Sequence, residues 1–298
     1  MRPQPLSLWP GPLRGYRAGR RRSGLFAMPT FYDTHAHLND PGFESDLPAV
    51  LHRAEAAGVT RIICVGLDLA SSARAVALAE TYPNVFAAVG WHPTQADRAP
   101  LDLRVALSAL ARHPKVVAIG ETGLDYYRLP APGPDGSQDV ELLKHNQRRL
   151  FEQHLDVAAA LGLNVVVHQR AALDDALALM ARFRGQVKGQ FHCFADDAAA
   201  LQRVLALGSM VSFTGLITYK NAESVRHALA VAPRGHFMLE TDAPYLVPEP
   251  HRSNKVRRCE PAFVREIAQC AAQVRGCSLD ELSADTCAAA HELFPKLA

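Results

Sequence analysis

The chain has 298 residues, 48% of them hydrophobic and 21% charged. That balance suits a globular domain with a sizeable core, and no run reaches the roughly 18–20 apolar residues that a membrane span needs. The formal charge is +2, but residues 1–27 hold six arginines and no acid, which leaves the remainder at −4 and without the general basic face that grips duplex nucleic acid.

Residues 1–27 are rich in Arg, Pro and Gly, show no periodicity, and are expected to be a disordered extension or the product of an upstream start, with Met28 directly before the first strand pattern. An acid-poor, Arg-rich stretch also suits a transit peptide, although Pro and Gly interrupt the amphipathic helix such peptides form. The folded unit is expected over residues 28–298. No CxxC pair occurs among the six cysteines (Cys64, Cys193, Cys259, Cys270, Cys277, Cys287), which read as reduced thiols of a cytoplasmic protein.

From residue 30 onward, strand and helix patterns alternate. Short, nearly continuous apolar runs rich in Val, Ile and Phe predict strands at 30–35, 61–66, 85–90, 116–121, 164–168, 188–193, 209–213 and 236–241. Strands buried on both faces of a parallel sheet have this character. Helical periodicity lies between them at 70–82, 142–161, 174–183, 196–207 and 222–231, with Asp or Asn near several starts and Gly162 closing the second. An extra helix is expected over 278–294. Eight strand–helix units over about 250 residues predict an α/β fold, a single-domain (β/α)8 TIM barrel. A doubly wound open sheet is the alternative, but it would carry a glycine-rich loop after its first strand. Here that strand ends in His-Ala-His. The segments 129–139 and 244–260 fall after the fourth and eighth strands, on the face where barrel loops carry function.

Imidazole and carboxylate side chains stand at the ends of these runs. His35 and His37 lie two apart on a strand, so both can face one cation. Glu121 follows Val116–Gly120, and a carboxylate there can bridge two cations about 3.5–4 Å apart. His168 and His192 each follow strongly apolar residues. Asp242 ends the eighth run, where it could ligate a metal and accept a proton from the attacking water. Glu240 could face either the core or the site. If the runs are strands of one barrel, these side chains meet at one mouth.

The motifs Tyr32–Leu38 (YDTHAHL), Gly90–Pro93 (GWHP), Gly120–Tyr126 (GETGLDY), Val167–Arg170 (VHQR), Phe191–Phe194 (FHCF), Glu240–Leu246 (ETDAPYL) and Arg258–Pro261 (RCEP) resemble, in order, those of the TatD family of metal-dependent deoxyribonucleases. The resemblance covers about residues 30–295. It implies an amidohydrolase-like barrel with His35, His37 and Asp242 on one metal, His168 and His192 on another, and Glu121 bridging. It also implies His92 and Arg170 as phosphate contacts. Two positions depart from the family pattern: Gln169 precedes Arg170 where Ser or Cys is usual, and Cys259 precedes Glu260 where Asn is usual. Both bear on substrate preference more than on the metals.

The activity implied is a 3′–5′ exonuclease acting on single-stranded or frayed DNA ends. Two divalent ions (Zn, Mg or Mn) would activate water, with Asp242 and Glu121 as the catalytic carboxylates. The basic run His251, Arg252, Lys255, Arg257 and Arg258 would form a local phosphate clamp, with Arg252 a direct contact. Tyr126, Tyr127 or Tyr245 would stack on bases. No membrane and no obligate protein partner is expected. The same site could instead attack a carbonyl, as in a D-aminoacyl-tRNA deacylase. A metal-stabilised binding protein without turnover is a third reading, disfavoured by the number of convergent ligands.

Overall fold

The structure, a computed structural model, describes residues 28–129 and 139–297. The expected disordered extension at 1–27 and residues 130–138 of the Pro/Gly-rich loop lie outside the described residues.

The strands are β1 (Phe31–Ala36), β2 (Val59–Val65), β3 (Val85–Val89), β4 (Val116–Asp125), β5 (Asn164–Arg170), β6 (Gly189–Phe191), β7 (Met210–Phe213) and β8 (Phe237–Leu239). They form one sheet in the order β1 to β8, with every neighbour parallel. A parallel bridge between Ala36 and Ala243 joins β1 to the chain leaving β8, so the sheet nearly closes into the expected TIM barrel. Every residue of β3 and β4 is buried, which is why these runs read as continuously apolar instead of alternating.

The helices are α1 (Leu47–Ala56), α2 (Leu69–Thr81), α3 (Arg104–Ala111), α4 (Val140–Leu161), α5 (Leu173–Ala181), α6 (Ala198–Ala206), α7 (Glu223–Val231), α8 (Val264–Arg275) and α9 (Leu279–Leu293). Asp68 and Ser71 form a capping box on α2, as Ser278 and Glu281 do on α9, and Gly162 ends α4 in the left-handed region. Three helices lay outside the sequence expectation. α1 and α8 have no side-chain cap at the N-terminus, and α3 spans only 8 residues; α8 nonetheless carries a regular helical stripe at Val264, Ile267, Ala268, Ala271 and Ala272.

Side chains on alternate strand positions divide the core in two. Ile62, Cys64, Val85, Ala87 and Val89 pack outward against the helices, while Ile63, Val65, Phe86 and Ala88 fill the barrel. The inner group continues into Ala289, Ala290, Leu293, Phe294 and Leu297, so α9 and its tail stopper the end where the strands begin. Tyr32 Oη and His291 Nε2, 2.8 Å apart, pin that stopper. The opposite end, where the strands finish, is left for chemistry.

Candidate metal centre

Five of the eight strands deliver the cluster, from late in the strand or just past its end. His35 lies on β1 with His37 beyond it; Glu121 is on β4, His168 on β5, His192 one residue past β6, and Asp242 three past β8. Glu121 is aimed by a local irregularity. Gly120 has φ +153°, and a Cβ there would stand 2.7 Å from the Val166 carbonyl oxygen, so only glycine fits. The peptide between Gly120 and Glu121 is cis. Asp242 adopts φ +57°, an uncommon conformation that Asp tolerates better than most residues.

Four imidazoles and two carboxylates converge. His35 Nε2 lies 3.2 Å from His37 Nε2 and 3.4 Å from Glu121 Oε2. Asp242 Oδ1 is 3.3 Å from His37 Nε2 and 3.7 Å from His35 Nε2. On the other side, Glu121 Oε1 is 2.8 Å from His168 Nδ1 and 2.9 Å from His192 Nε2, which are themselves 3.2 Å apart. Glu121 thus turns one oxygen to each half. Ligand atoms of His35, His37 and Asp242 lie within 4.8 Å of one another, as do those of His35, Glu121 and His192, and those of His92, Glu121 and His168.

The outward nitrogens are set by a second ring of groups. His37 Nδ1 is 3.1 Å from the Val65 carbonyl oxygen, to which it donates, and His168 Nε2 is 3.2 Å from Asp125 Oδ2. His192 Nδ1 faces Glu240 Oε1 at 3.5 Å, a contact too long for a good hydrogen bond. Protons on those outer atoms leave lone pairs on the inner ones, which is how the acceptors behind the rings prepare the imidazoles for a cation. Glu240 is fully buried and accepts from Cys193 N at 2.6 Å, Ser212 Oγ at 2.6 Å and Gln190 Nε2 at 2.8 Å. The sequence pattern assigns no role to Asp125 and leaves Glu240 open between core and site. Their signal was spacing: Glu240 sits two residues before Asp242, and Asp125 four after Glu121.

The electrostatics call for positive charge. Burial alone would raise the Glu121 carboxyl, yet His192, His92 and the hydrogen bond from His168 hold it well below the usual carboxylate range. Asp242 is likewise held low against its burial, by His37 and His35. Burial opposes protonation of His192, but Glu121 and Glu240 push it well above the usual imidazole value. His168, through Asp125 and Glu121, and His37, through Asp242, are also raised against burial. His35 moves the other way, lowered by burial and by His192. Paired acceptors this close need protons or a cation between them. His35 Nδ1 is buried without a partner, so this ring is not held by hydrogen bonding at its outer edge. The donor set, imidazole nitrogen with carboxylate oxygen, suits Zn, Mn or related divalent ions.

The remaining expected residues fall in different places. His92, expected as a phosphate contact, joins the cluster itself: its Nε2 is 3.3 Å from both Glu121 Oε1 and His168 Nδ1. Arg170 stacks its guanidinium 3.9 Å from the centroid of the exposed Tyr127 ring. Tyr126 is tied down, its hydroxyl donating to Asp175 at 2.6 Å and accepting from Arg148 at 3.2 Å. Arg252 lies over the Tyr219 ring at 4.2 Å. Gln169 donates to Asp196 at 3.1 Å, and Cys259 is buried.

Two cations of the expected clamp are ion-paired. Arg258 binds Asp46 at 2.6 Å, His251 pairs with Glu266 at 3.0 Å, and Glu260 receives Arg53 at 2.7 Å. Arg252, Lys255 and Arg257 remain as exposed cations of that run.

Residues 32–295 match the model of the TatD related DNase family. A metal-dependent hydrolase of Bacillus subtilis, YabD, is 34% identical over 265 residues, 88% of this chain and 98% of that protein. A protein of Citrobacter rodentium named 3′-5′ ssDNA/RNA exonuclease TatD is 34% identical over 267 residues, 88% of this chain and 97% of its own length. The crystal structure of YjjV, a TatD homologue of Escherichia coli, superposes with a TM-score of 0.78 at 28% identity, covering 89% of this chain and 98% of that one. With the match running nearly end to end through the described barrel, the chain belongs to the TatD family of metal-dependent hydrolases.

Proposed function

We propose that this protein is a divalent-cation-dependent exonuclease that removes nucleotides from the 3′ ends of single-stranded or frayed DNA. The observation that carries the reading is the division of Glu121 between two ligand groups, Oε2 toward His35 and Oε1 toward His168 and His192. The name of the Citrobacter rodentium relative supports the direction and the class of substrate.

His35, His37 and Asp242 would hold one ion, His168 and His192 the other, and Glu121 would bridge. Two bound ions would supply Lewis acidity toward a phosphodiester and its attacking water. The chain's own residues do the rest. The Asp242 carboxyl is held low by His37 and His35 and its side chain is 15% exposed, so it can take the proton of the attacking water. His92, lowered chiefly by burial, is a neutral imidazole that can donate one hydrogen bond to a phosphoryl oxygen. Arg170, fixed over Tyr127, offers its fork of donors to the next phosphate. Tyr127 at 66% and Tyr245 at 52% exposure offer ring faces to unstacked bases, and the Tyr245 ring lies 6.0 Å from that of His37.

The test incubates metal-stripped protein, restored with Mg, Mn or Zn, with DNA strands labelled at one end, beside Asp242→Asn. Products shortening from the 3′ end, lost in the variant, are expected. No cleavage with any cation, together with release of the aminoacyl group from charged tRNA, would replace the reading with an ester hydrolase.

A further inference from the structure

The buried face of α4 is apolar at Leu150, Phe151, Leu155, Val157 and Ala158, yet it also carries Gln147, Gln153 and His154. Buried polar groups are costly unless paired, and each of these is paired with backbone outside α4. Gln147 accepts from Asp125 N at 2.8 Å and donates to Asp125 O at 3.1 Å. His154 Nε2 accepts from Trp91 N at 2.9 Å, while its Nδ1, 2.7 Å from the Leu150 carbonyl oxygen, donates there. Gln153 accepts from Leu103 N at 2.7 Å and donates to Leu101 O at 2.7 Å.

The first two clamps act where the ladder runs out. β3 ends at Val89, while β4 continues to Asp125. The backbone at Trp91 and at Asp125 therefore lacks strand partners on that side, and α4 supplies them. Gln147 and His154 are two helical turns apart and share one face.

Both clamped residues lead directly to the centre. Asp125 holds His168 Nε2 at 3.2 Å, and Trp91 precedes His92. The His92 and His168 rings stand 4.4 Å apart, centroid to centroid, beside Glu121. Gln153, by contrast, clamps residues of the chain entering α3, which bear no ligand.

We propose that Gln147 and His154 are positioning residues that set His168, directly through Asp125 and through the neighbouring His92, whose Nε2 lies 3.3 Å from His168 Nδ1, so that α4 governs the affinity of the cation His168 and His192 would hold. This rests on the metal-dependent reading above. The experiment is calorimetric titration of the metal-stripped full chain with Mn2+, for wild type, Gln147→Leu, His154→Leu, His154→Gln and Gln153→Leu. The expected result is loss of at least about 10-fold in affinity for one ion in Gln147→Leu and His154→Leu, with the other ion unchanged. His154→Gln keeps an acceptor for Trp91 N and restores the affinity. Gln153→Leu lowers the unfolding midpoint but leaves both affinities as they were. Should His154→Leu fail to fold, Gln147→Leu carries the same test. Unchanged Mn2+ binding in the clamp variants, or equal weakening by Gln153→Leu, overturns the proposal alone. A wild-type chain that takes up no Mn2+ overturns the metal-centre reading, and the proposal falls with it.

Discussion

Asp33 and Thr241 stand 208 residues apart in the chain and are joined twice: Thr241 N donates to Asp33 Oδ1 at 2.9 Å and Thr241 Oγ1 to Asp33 Oδ2 at 2.6 Å. One residue further on, Asp242 N donates to the His35 carbonyl oxygen at 2.9 Å. This pair ties the strand that carries His35 and His37 to the turn that carries Asp242, and it does so where β8 has already ended.

Thr241→Val keeps the shape but leaves the buried Asp33 carboxyl short of a donor. A loss of about 1–3 kcal/mol is expected, read from urea unfolding of the metal-free protein. An unchanged midpoint would show that the barrel closes without this pair.

Glu240 accepts from three donors, at Cys193 N, Ser212 Oγ and Gln190 Nε2. Glu240→Gln sets an amide N–H against one of them. Unfolding should become easier by roughly 2–3 kcal/mol. Because the same carboxylate faces His192, Mn2+ affinity should also fall. Loss of stability with intact Mn2+ binding would limit Glu240 to the core.

His154 is fully buried and its pKa is driven by that burial to about 4 from the usual 6.5. A lowered pKa means the unfolded chain binds the proton more readily, so the contribution is present above pH 6.5 and is lost as pH falls toward 4. The difference in stability between wild type and His154→Gln should shift against the wild type across that window, by up to roughly 3 kcal/mol. Parallel stability curves would contradict the buried, neutral imidazole.

Cation uptake should stabilise the fold by mass action, by about 2.7 kcal/mol at a hundredfold excess over Kd. It should also release protons from His37, His168 and His192, whose pKa values are raised in the metal-free centre. Thermal unfolding with Mn2+ against a chelator measures the first effect, and titration in buffers of different ionisation enthalpy the second. His35→Ala should diminish both.

Tyr127→Ala removes the ring under Arg170 and one exposed stacking face. KM for single-stranded DNA should rise roughly 10-fold while kcat holds, since a stacked base contributes about 1–3 kcal/mol. A fall in kcat alone would place Tyr127 in the chemical step.

Much of this architecture is legible in the chain. Runs such as Val116–Ile119 and Val165–Val167 are apolar without alternation because both strand faces are buried, and that predicts a parallel barrel. His35, Glu121, His168, His192 and Asp242 follow the apolar runs because those runs line the barrel and the residues after them reach its mouth, although β4 continues past Glu121 to Asp125 and β5 past His168 to Arg170. The sequence alone also decided the family, through motifs in a fixed order. It did not decide which polar residues would be consumed. Arg258 and Arg252 read alike as cations of one loop, but one binds Asp46 and the other stacks on Tyr219. Nor did it separate Glu240 from the core, or give roles to Gln147, His154 and Asp33. Those roles are contacts between residues distant in the chain, and a hydrogen bond depends on which groups the closed barrel brings within about 3 Å, a condition that local pattern does not encode.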